Sequence, residues 1–133
     1  MSGPDPAPAP SDPARVRLDR WLWAARFFRT RALAKAAIEG GRVLLLPAHR
    51  ADAPDAEYGG YKPKPGKEIA VGDVLLIRRD ESAQTVRGRA TGERRGSATL
   101  ARTLYEETVA SIEARERERA RRLMDRAGLA IPA

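Results

Sequence analysis

The sequence contains no cysteine, and its 133 residues include a single histidine, His49. Without cysteine the chain can form no disulfide, no thiolate-bound zinc site and no cysteine nucleophile. One histidine leaves little for metal ligation or for a serine–histidine–aspartate triad. Glycine-rich cofactor loops and phosphate-binding loops are also missing. We therefore expect a non-catalytic protein that uses no metal and no cofactor.

Long hydrophobic runs are absent as well. No apolar stretch approaches the roughly 18 residues of a membrane span, and the first residues lack the pattern of a secretory signal. A hydrophobic fraction of 42% over 133 residues is still enough for one modest core. The sequence thus predicts a single-domain cytoplasmic protein, and a monomer is the default expectation.

The charge is concentrated in one part of the chain. The formal net charge is +7, from 25 basic and 18 acidic residues. Residues 15–50 hold nine basic and two acidic residues, so the remaining sixteen of each sign cancel. A dense patch of one sign is typical of proteins that bind polyanions, although a basic run can also be a solvated surface. The density of this patch favours nucleic acid.

Composition divides the chain into segments. Residues 1–14 contain five prolines and no large apolar residue beyond Met1, which predicts a disordered tail. Residues 15–96 have the apolar patterning of a folded domain, and residues 97–133 are predicted to be a C-terminal helical extension.

A loop rich in proline and glycine interrupts this domain at residues 47–67. Loops of this length inside a compact domain are usually functional or mobile. Its far end carries Lys62, Lys64 and Lys67. These lysines are either phosphate contacts or the tip of a solvated insertion.

Two short helices are predicted at the start of the domain. Asp19 is a plausible N-cap for a helix that runs to about Phe28, and Thr30 can cap a second helix over 31–39. Gly40 is expected to supply the left-handed residue that ends the second helix. Two helices joined by a tight turn also resemble a helix-turn-helix, which keeps DNA binding as an alternative.

The second half of the chain predicts strands and then a long helix. The strands are consecutive and short, so an antiparallel sheet is expected; they cover residues 42–46, 69–71, 74–77 and 84–90. Ser97 or Thr99 can cap a final long helix, on which apolar residues recur at a spacing of three and four. From Glu113 to Arg122 the charges alternate in sign, which favours an exposed helical arm. The fold class is therefore α+β.

Several short motifs then define a resemblance. Residues 16–77 resemble the S4 RNA-binding domain in five places, which are Arg17-Leu18-Asp19, Thr30-Arg31, Glu39-Gly40-Gly41-Arg42-Val43, Lys64-Pro65-Gly66-Lys67 and Val71-Gly72-Asp73. The run VRLDRWLWAARFFRTRALAKAAIEGGRV, followed by LYEET at residues 104–108, is similar to the bacterial heat shock protein 15 family.

This resemblance implies an S4-like, or alpha-L, fold in which two short helices and the following strand bind RNA. It also implies a heat-stress protein that binds ribosomal RNA on large ribosomal subunits still carrying a nascent chain on tRNA, and that assists their rescue. Members of the family usually have a short turn where this chain has residues 47–60. The RNA-binding candidates, with the loop lysines added, are Arg17, Arg20, Arg26, Arg29, Thr30, Arg31, Lys35, Arg42, Lys62, Lys64 and Lys67.

The physical chemistry favours recognition of RNA by shape. Double-stranded RNA is read mainly through its phosphates and 2′-hydroxyl groups, and arginine on a rigid helix suits that task. We expect Arg29, Arg31 and Lys35 to carry much of the affinity, because they share an outward direction and no acid is expected near them. A holdase chaperone is a further alternative, and Trp23 and Phe27 are its only obvious apolar surface; the same pair could instead be core or a stacking platform for bases.

Overall fold

A computed structural model of the protein describes residues 15–52, 59–80, 82–92 and 94–128. The predicted tail at 1–14 and the centre of the predicted loop, residues 53–58, lie outside the described residues. Within this part the chain has the predicted α+β fold, with short helices, antiparallel sheets and a long helix near the C-terminus.

The first helix is shorter than the sequence pattern predicts. Helix α1 spans Leu18–Ala24, and the residue before it, Arg17, forms no side-chain cap. The prediction that Asp19 is the N-cap is therefore wrong, because Asp19 lies inside the first turn and is buried. The helix ends before Arg26, whose φ of 65° is left-handed and incompatible with further helix.

The second helix agrees with the prediction. Helix α2 spans Arg31–Glu39, and the Thr30 hydroxyl accepts a hydrogen bond from the N–H of Leu33 at 3.0 Å. The left-handed residue after the helix is Gly41, with a φ of 77°, and not Gly40 as predicted. Gly40 has a φ of −83° and still continues the hydrogen bonding of the helix.

The described residues form two antiparallel sheets. The strand predicted at residues 69–71 is β3 (Glu68–Ala70), and it pairs with β1 (Arg15–Arg17), a strand that the sequence does not predict. The larger sheet has the order β2-β4-β5-β6. Its strands are Val43–Leu46, Val74–Arg79, Ser82–Gly88 and Tyr105–Glu107.

The single long helix predicted from Ser97 or Thr99 is wrong in its first third. Ser97 caps only the short helix α3 (Ala98–Ala101), which passes through a 3₁₀ turn into β6. The long helix α4 then spans Val109–Arg126, and its N-cap is Thr108, whose hydroxyl accepts from the N–H of Ser111 at 3.2 Å. The interruption follows from β6, which pairs with β5 and so needs extended backbone.

A polar cluster docks α4 on the sheet. The Ser111 hydroxyl accepts the backbone N–H of Thr85 at 2.9 Å and donates to Glu107 at 2.6 Å. Arg115 adds two hydrogen bonds to the same carboxylate, at 2.7 and 2.6 Å. No helix in the described part of the chain is long and apolar enough to cross a membrane.

The core lies between the helices and the larger sheet. Its centre is Trp21, which is 1% exposed and donates its indole N–H to the carbonyl of Ala90 at 2.9 Å. Phe27 is also buried, between Trp21 and Tyr105. Trp23 packs on the edge of this core. Phe27 is therefore core and cannot be a stacking platform or an exposed chaperone surface.

Candidate nucleic-acid interface

One buried carboxylate joins the beginnings of the two helices. Arg17 donates from Nε and from one terminal nitrogen to the Asp19 carboxylate, at 3.2 and 3.0 Å. Arg31, at the start of α2, donates to the same carboxylate at 3.4 Å. The Asp19 side chain is 6% exposed, whereas those of Arg17 and Arg31 are 55% and 46% exposed. Both guanidinium groups are thus anchored on one edge and open to solvent on the other.

The charge of Asp19 is maintained by these contacts. Burial by itself raises the pKa of the Asp19 carboxyl, but the hydrogen bond from Arg17 and the positive charges of Arg17 and Arg31 outweigh it. The net result is a pKa below the usual value for aspartate. Asp19 therefore stays ionised at neutral pH and fixes both arginines electrostatically.

The lysine-rich turn is part of the same region. The backbone N–H groups of Leu18 and Asp19 donate to the carbonyls of Lys67 and Pro65, at 2.8 and 3.1 Å. A Cβ added at Gly66 would lie 3.4 Å from the Cζ of Arg17, so this turn passes directly beside that guanidinium group. The turn between Lys64 and Lys67 is consequently held next to the anchored arginines, and both lysines are exposed.

Three further cations lie on α2 or within three residues of its ends. Arg29, Lys35 and Arg42 are exposed, and their side chains form no hydrogen bond or ion pair with any described residue. The expectation that no acid lies near the cluster is wrong for Arg31, because Asp19 is its partner. Thr30 is exposed, and its hydroxyl is used as the helix cap.

Three further RNA-binding candidates lie outside the cluster of Arg17, Asp19 and Arg31. Arg26 donates from Nε to the carbonyl of Gly96 at 2.9 Å, so its side chain points toward the segment before α3. Arg20 is half-buried and has partners of its own. Lys62 follows Tyr61, which bridges to β2 by backbone hydrogen bonds with Leu45.

Two residues of the candidate interface, Asp19 and Arg95, were not predicted from the sequence in the roles that the structure gives them. Asp19 was interpreted as a cap, and its role as the shared anchor depends on residues 17 and 31 meeting in space. Arg95 also donates to the carbonyl of Trp23 at 3.2 Å and so brings a further cation to the end of α1. Among the described residues there is no cluster of three side chains that could hold a metal ion.

Comparison with known proteins gives the same picture. The model of the S4 domain matches residues 16–45. A heat shock protein 15 homologue from Aeromonas salmonicida is 43% identical over 109 residues, which are 81% of this chain and 73% of that protein. Heat shock protein 15 of Escherichia coli K12 is 43% identical over 102 residues, covering 77% of this chain and 67% of that protein. The chain belongs to the heat shock protein 15 family.

A solved structure supports this assignment at the level of the fold. The heat shock protein 15 of Vibrio cholerae superimposes with a TM-score of 0.67 at 36% identity, covering 78% of this chain and 92% of that one. Both resemblances inferred from the sequence are therefore confirmed, and so is the coarse function, an RNA-binding protein of a heat shock family. The V. cholerae protein is described as trimeric, and the monomeric state expected for this chain stays a prediction.

Proposed function

We propose that this protein binds structured ribosomal RNA on large ribosomal subunits that carry a stalled nascent chain on tRNA, and that it aids their rescue under heat stress. It acts in the cytoplasm as a non-catalytic monomer, through a domain at residues 15–96 with residues 97–133 as its extension. The observation that carries the proposal is the anchoring of Arg17 and Arg31 on Asp19, with both guanidinium groups half-exposed.

The geometry suits phosphate groups because the anchored arginines keep unused donors. Arg17 uses Nε and one terminal nitrogen on the carboxylate, so its other terminal nitrogen still presents two N–H groups. A guanidinium group held in place loses less side-chain entropy when it binds a phosphate. The contacts are to the RNA backbone, which means that shape and not base sequence is recognised. We give the name alpha-L surface to the exposed cations of α2, its flanking residues and the lysine turn; they are Arg17, Arg29, Arg31, Lys35, Arg42, Lys64 and Lys67.

Binding to an RNA stem-loop tests this surface. We expect charge reversal at Arg29, Arg31 and Lys35 to abolish measurable binding at moderate salt. The milder double variant Arg29→Gln/Lys35→Gln leaves the Asp19 anchor intact, and it should lower the slope of log affinity against log salt by about 1.5. The matched control is Arg102→Gln/Arg117→Gln, which removes the same charge from two other exposed positions. Unchanged affinity and slope in the first two variants would contradict the proposal.

Sedimentation through a gradient tests the ribosomal part of the proposal. The protein is mixed with separated large and small subunits, and with large subunits that carry peptidyl-tRNA. We expect it to travel with the large subunit, and most strongly when peptidyl-tRNA is present. An equal distribution over all fractions would overturn this assignment. The alternative of a DNA-binding protein is tested by competition between duplex DNA and structured RNA at fixed salt. We expect structured RNA to be the stronger competitor.

A further inference from the structure

Helix α4 carries a row of arginines on one side. Positions 115, 119, 122 and 126 are separated by four, three and four residues, and at 100° per residue they fall within an arc of about 60°. The row is about 17 Å long at 1.5 Å per residue. We call it the arginine stripe; it consists of Arg115, Arg119, Arg122 and Arg126.

The arginine stripe forms one wall of an open groove. The groove has a volume of about 650 Å³ and lies between α4 and the start of β5. Ser82 and Ala83 form the opposite wall, and Ala114 and Glu118 complete the lining. The surface is therefore basic, with small side chains between the charges. Among its described lining residues there is no tryptophan or tyrosine, the aromatic residues that accompany arginine in the hot spots of protein–protein interfaces.

Two arginines of the stripe have structural partners and two have none within the described residues. Arg115 is fixed by Glu107, and Arg122 lies 3.2 Å from Glu118. Arg119 and Arg126 form no hydrogen bond or ion pair with any described residue. Both are exposed, so their charges are available to a ligand. The fixed members hold the helix and the groove in place while the other two remain available.

The arginine stripe and the α2 cations of the alpha-L surface lie on helices that pack on different strands of the larger sheet. Helix α4 packs on β5, whereas α2 contacts β2, and β4 separates these two strands. Two strand spacings amount to about 10 Å, so a ligand that contacts both surfaces must extend over more than one phosphate group. An RNA stem-loop does so, and a single small anion does not.

We propose that the arginine stripe is a second RNA-binding surface, which holds the sugar–phosphate backbone of another segment of the RNA that the alpha-L surface binds. Evenly spaced cations of one sign match a linear polyanion, and guanidinium groups donate well to phosphate oxygens. The proposal rests on the proposed function, because it assumes that this protein binds RNA through its alpha-L surface.

The test uses the full chain and a long RNA stem-loop. The variant Arg119→Gln/Arg126→Gln removes the two unpartnered charges of the stripe. It should fold normally, because both side chains are exposed and neither belongs to the cluster that docks α4; circular dichroism checks this. We expect a loss of affinity of about tenfold at low salt and a salt slope lower by about 1.5. The matched control is again Arg102→Gln/Arg117→Gln, because both arginines lie outside the stripe, are exposed and form no side-chain hydrogen bond or ion pair with any described residue.

The outcomes separate the two proposals. If the stripe variant behaves like the control while the alpha-L variants lose binding, the second surface is refuted and the proposed function stands. If neither set loses binding, the proposed function fails as well. Photocrosslinking of thiouridine-labelled RNA gives an independent readout. Crosslinked peptides from α4 in the wild type, lost in the stripe variant, are the expected result, and crosslinks confined to residues 15–67 would overturn the second surface.

Discussion

Asp19 illustrates, at the scale of single residues, where local sequence reasoning ends. An aspartate in front of an apolar helix is a common N-cap, and sequence reasoning alone favours that interpretation. The N–H groups at the start of α1, however, are satisfied by the carbonyls of Pro65 and Lys67, more than forty positions away. The side chain is then free to bind two arginines. No local sequence pattern predicts the ion pairs of Asp19 with Arg17 and Arg31, because tertiary contacts decide which groups meet.

Replacement of Asp19 by asparagine should weaken stability and RNA binding together. The variant loses charge-assisted hydrogen bonds to Arg17 and Arg31, which are typically worth about 1.5–3 kcal/mol. We expect a lower free energy of unfolding of about that size in urea melts, and a several-fold loss of RNA affinity because the guanidinium groups are no longer held. Asp52→Asn, at an exposed site, is the control. A variant with wild-type stability and affinity would show that the anchor has no role.

At the scale of elements, the accuracy of sequence reasoning depended on how local each signal is. The cap and bounds of α2 were predicted correctly, because Thr30 bonds to a residue only three positions later. The start of the C-terminal helix was not, because Leu100, Leu104 and Tyr105 have helical spacing although Tyr105 begins a strand. That strand exists because β5 offers it an edge. Pairing of this kind is decided by the whole fold.

The Ser111 hydroxyl is the buried member of the cluster that docks α4. Ser111→Ala leaves the backbone N–H of Thr85 without its acceptor and removes a donor from Glu107. Because Ser111 is 8% exposed, water cannot easily replace it, and we expect a loss of about 1–3 kcal/mol in the free energy of unfolding.

Ser82→Ala is the matched control for this prediction. Its hydroxyl is exposed and, among the described residues, donates a single hydrogen bond, to the carbonyl of Arg79 at 3.3 Å. Hydrogen exchange should show faster exchange at Thr85 in the Ser111 variant and little change in the Ser82 variant. Equal protection of Thr85 in all three proteins would contradict the assigned role.

For the molecule as a whole, the distribution of charge along the sequence predicts the alpha-L surface but does not predict the arginine stripe. The excess of cations in residues 15–50 was visible by counting, and it led to the alpha-L surface. For the terminal helix, the near-cancellation of charges along the sequence predicts an exposed arm. The helix is exposed as predicted, but four of its arginines share one side. Net charge over a segment conceals such a separation.

The whole molecule should lose stability in acid through two carboxylates. Burial raises the pKa of Glu107, but its hydrogen bonds from Arg115 and Ser111 lower it further, as happens for Asp19. A group with a lowered pKa in the folded state stabilises the protein above its unfolded pKa of about 4, and that contribution disappears as the pH falls through the folded pKa. We therefore expect unfolding free energies to be steady near neutral pH and to decrease below about pH 4.

The double variant Asp19→Asn/Glu107→Gln checks this assignment. It should be less stable at neutral pH and show a flatter decline in acid. Glu118→Gln is the control, because that carboxylate is exposed and its ion pairs to Arg121 and Arg122 are screened by solvent. Parallel acid curves for the wild type and the double variant would assign the acid sensitivity to other groups.

The contact between the lysine turn and α1 also has a consequence for the order of events during synthesis. The alpha-L helices leave the ribosome well before residues 65–67, which must arrive to satisfy the first N–H groups of α1. The hydrogen bond from the indole of Trp21 can form only later still, after Ala90 has been translated. Contacts so distant in sequence form late and slow the folding of a nascent chain. A newly synthesised chain can therefore bind RNA only after most of its residues have been translated.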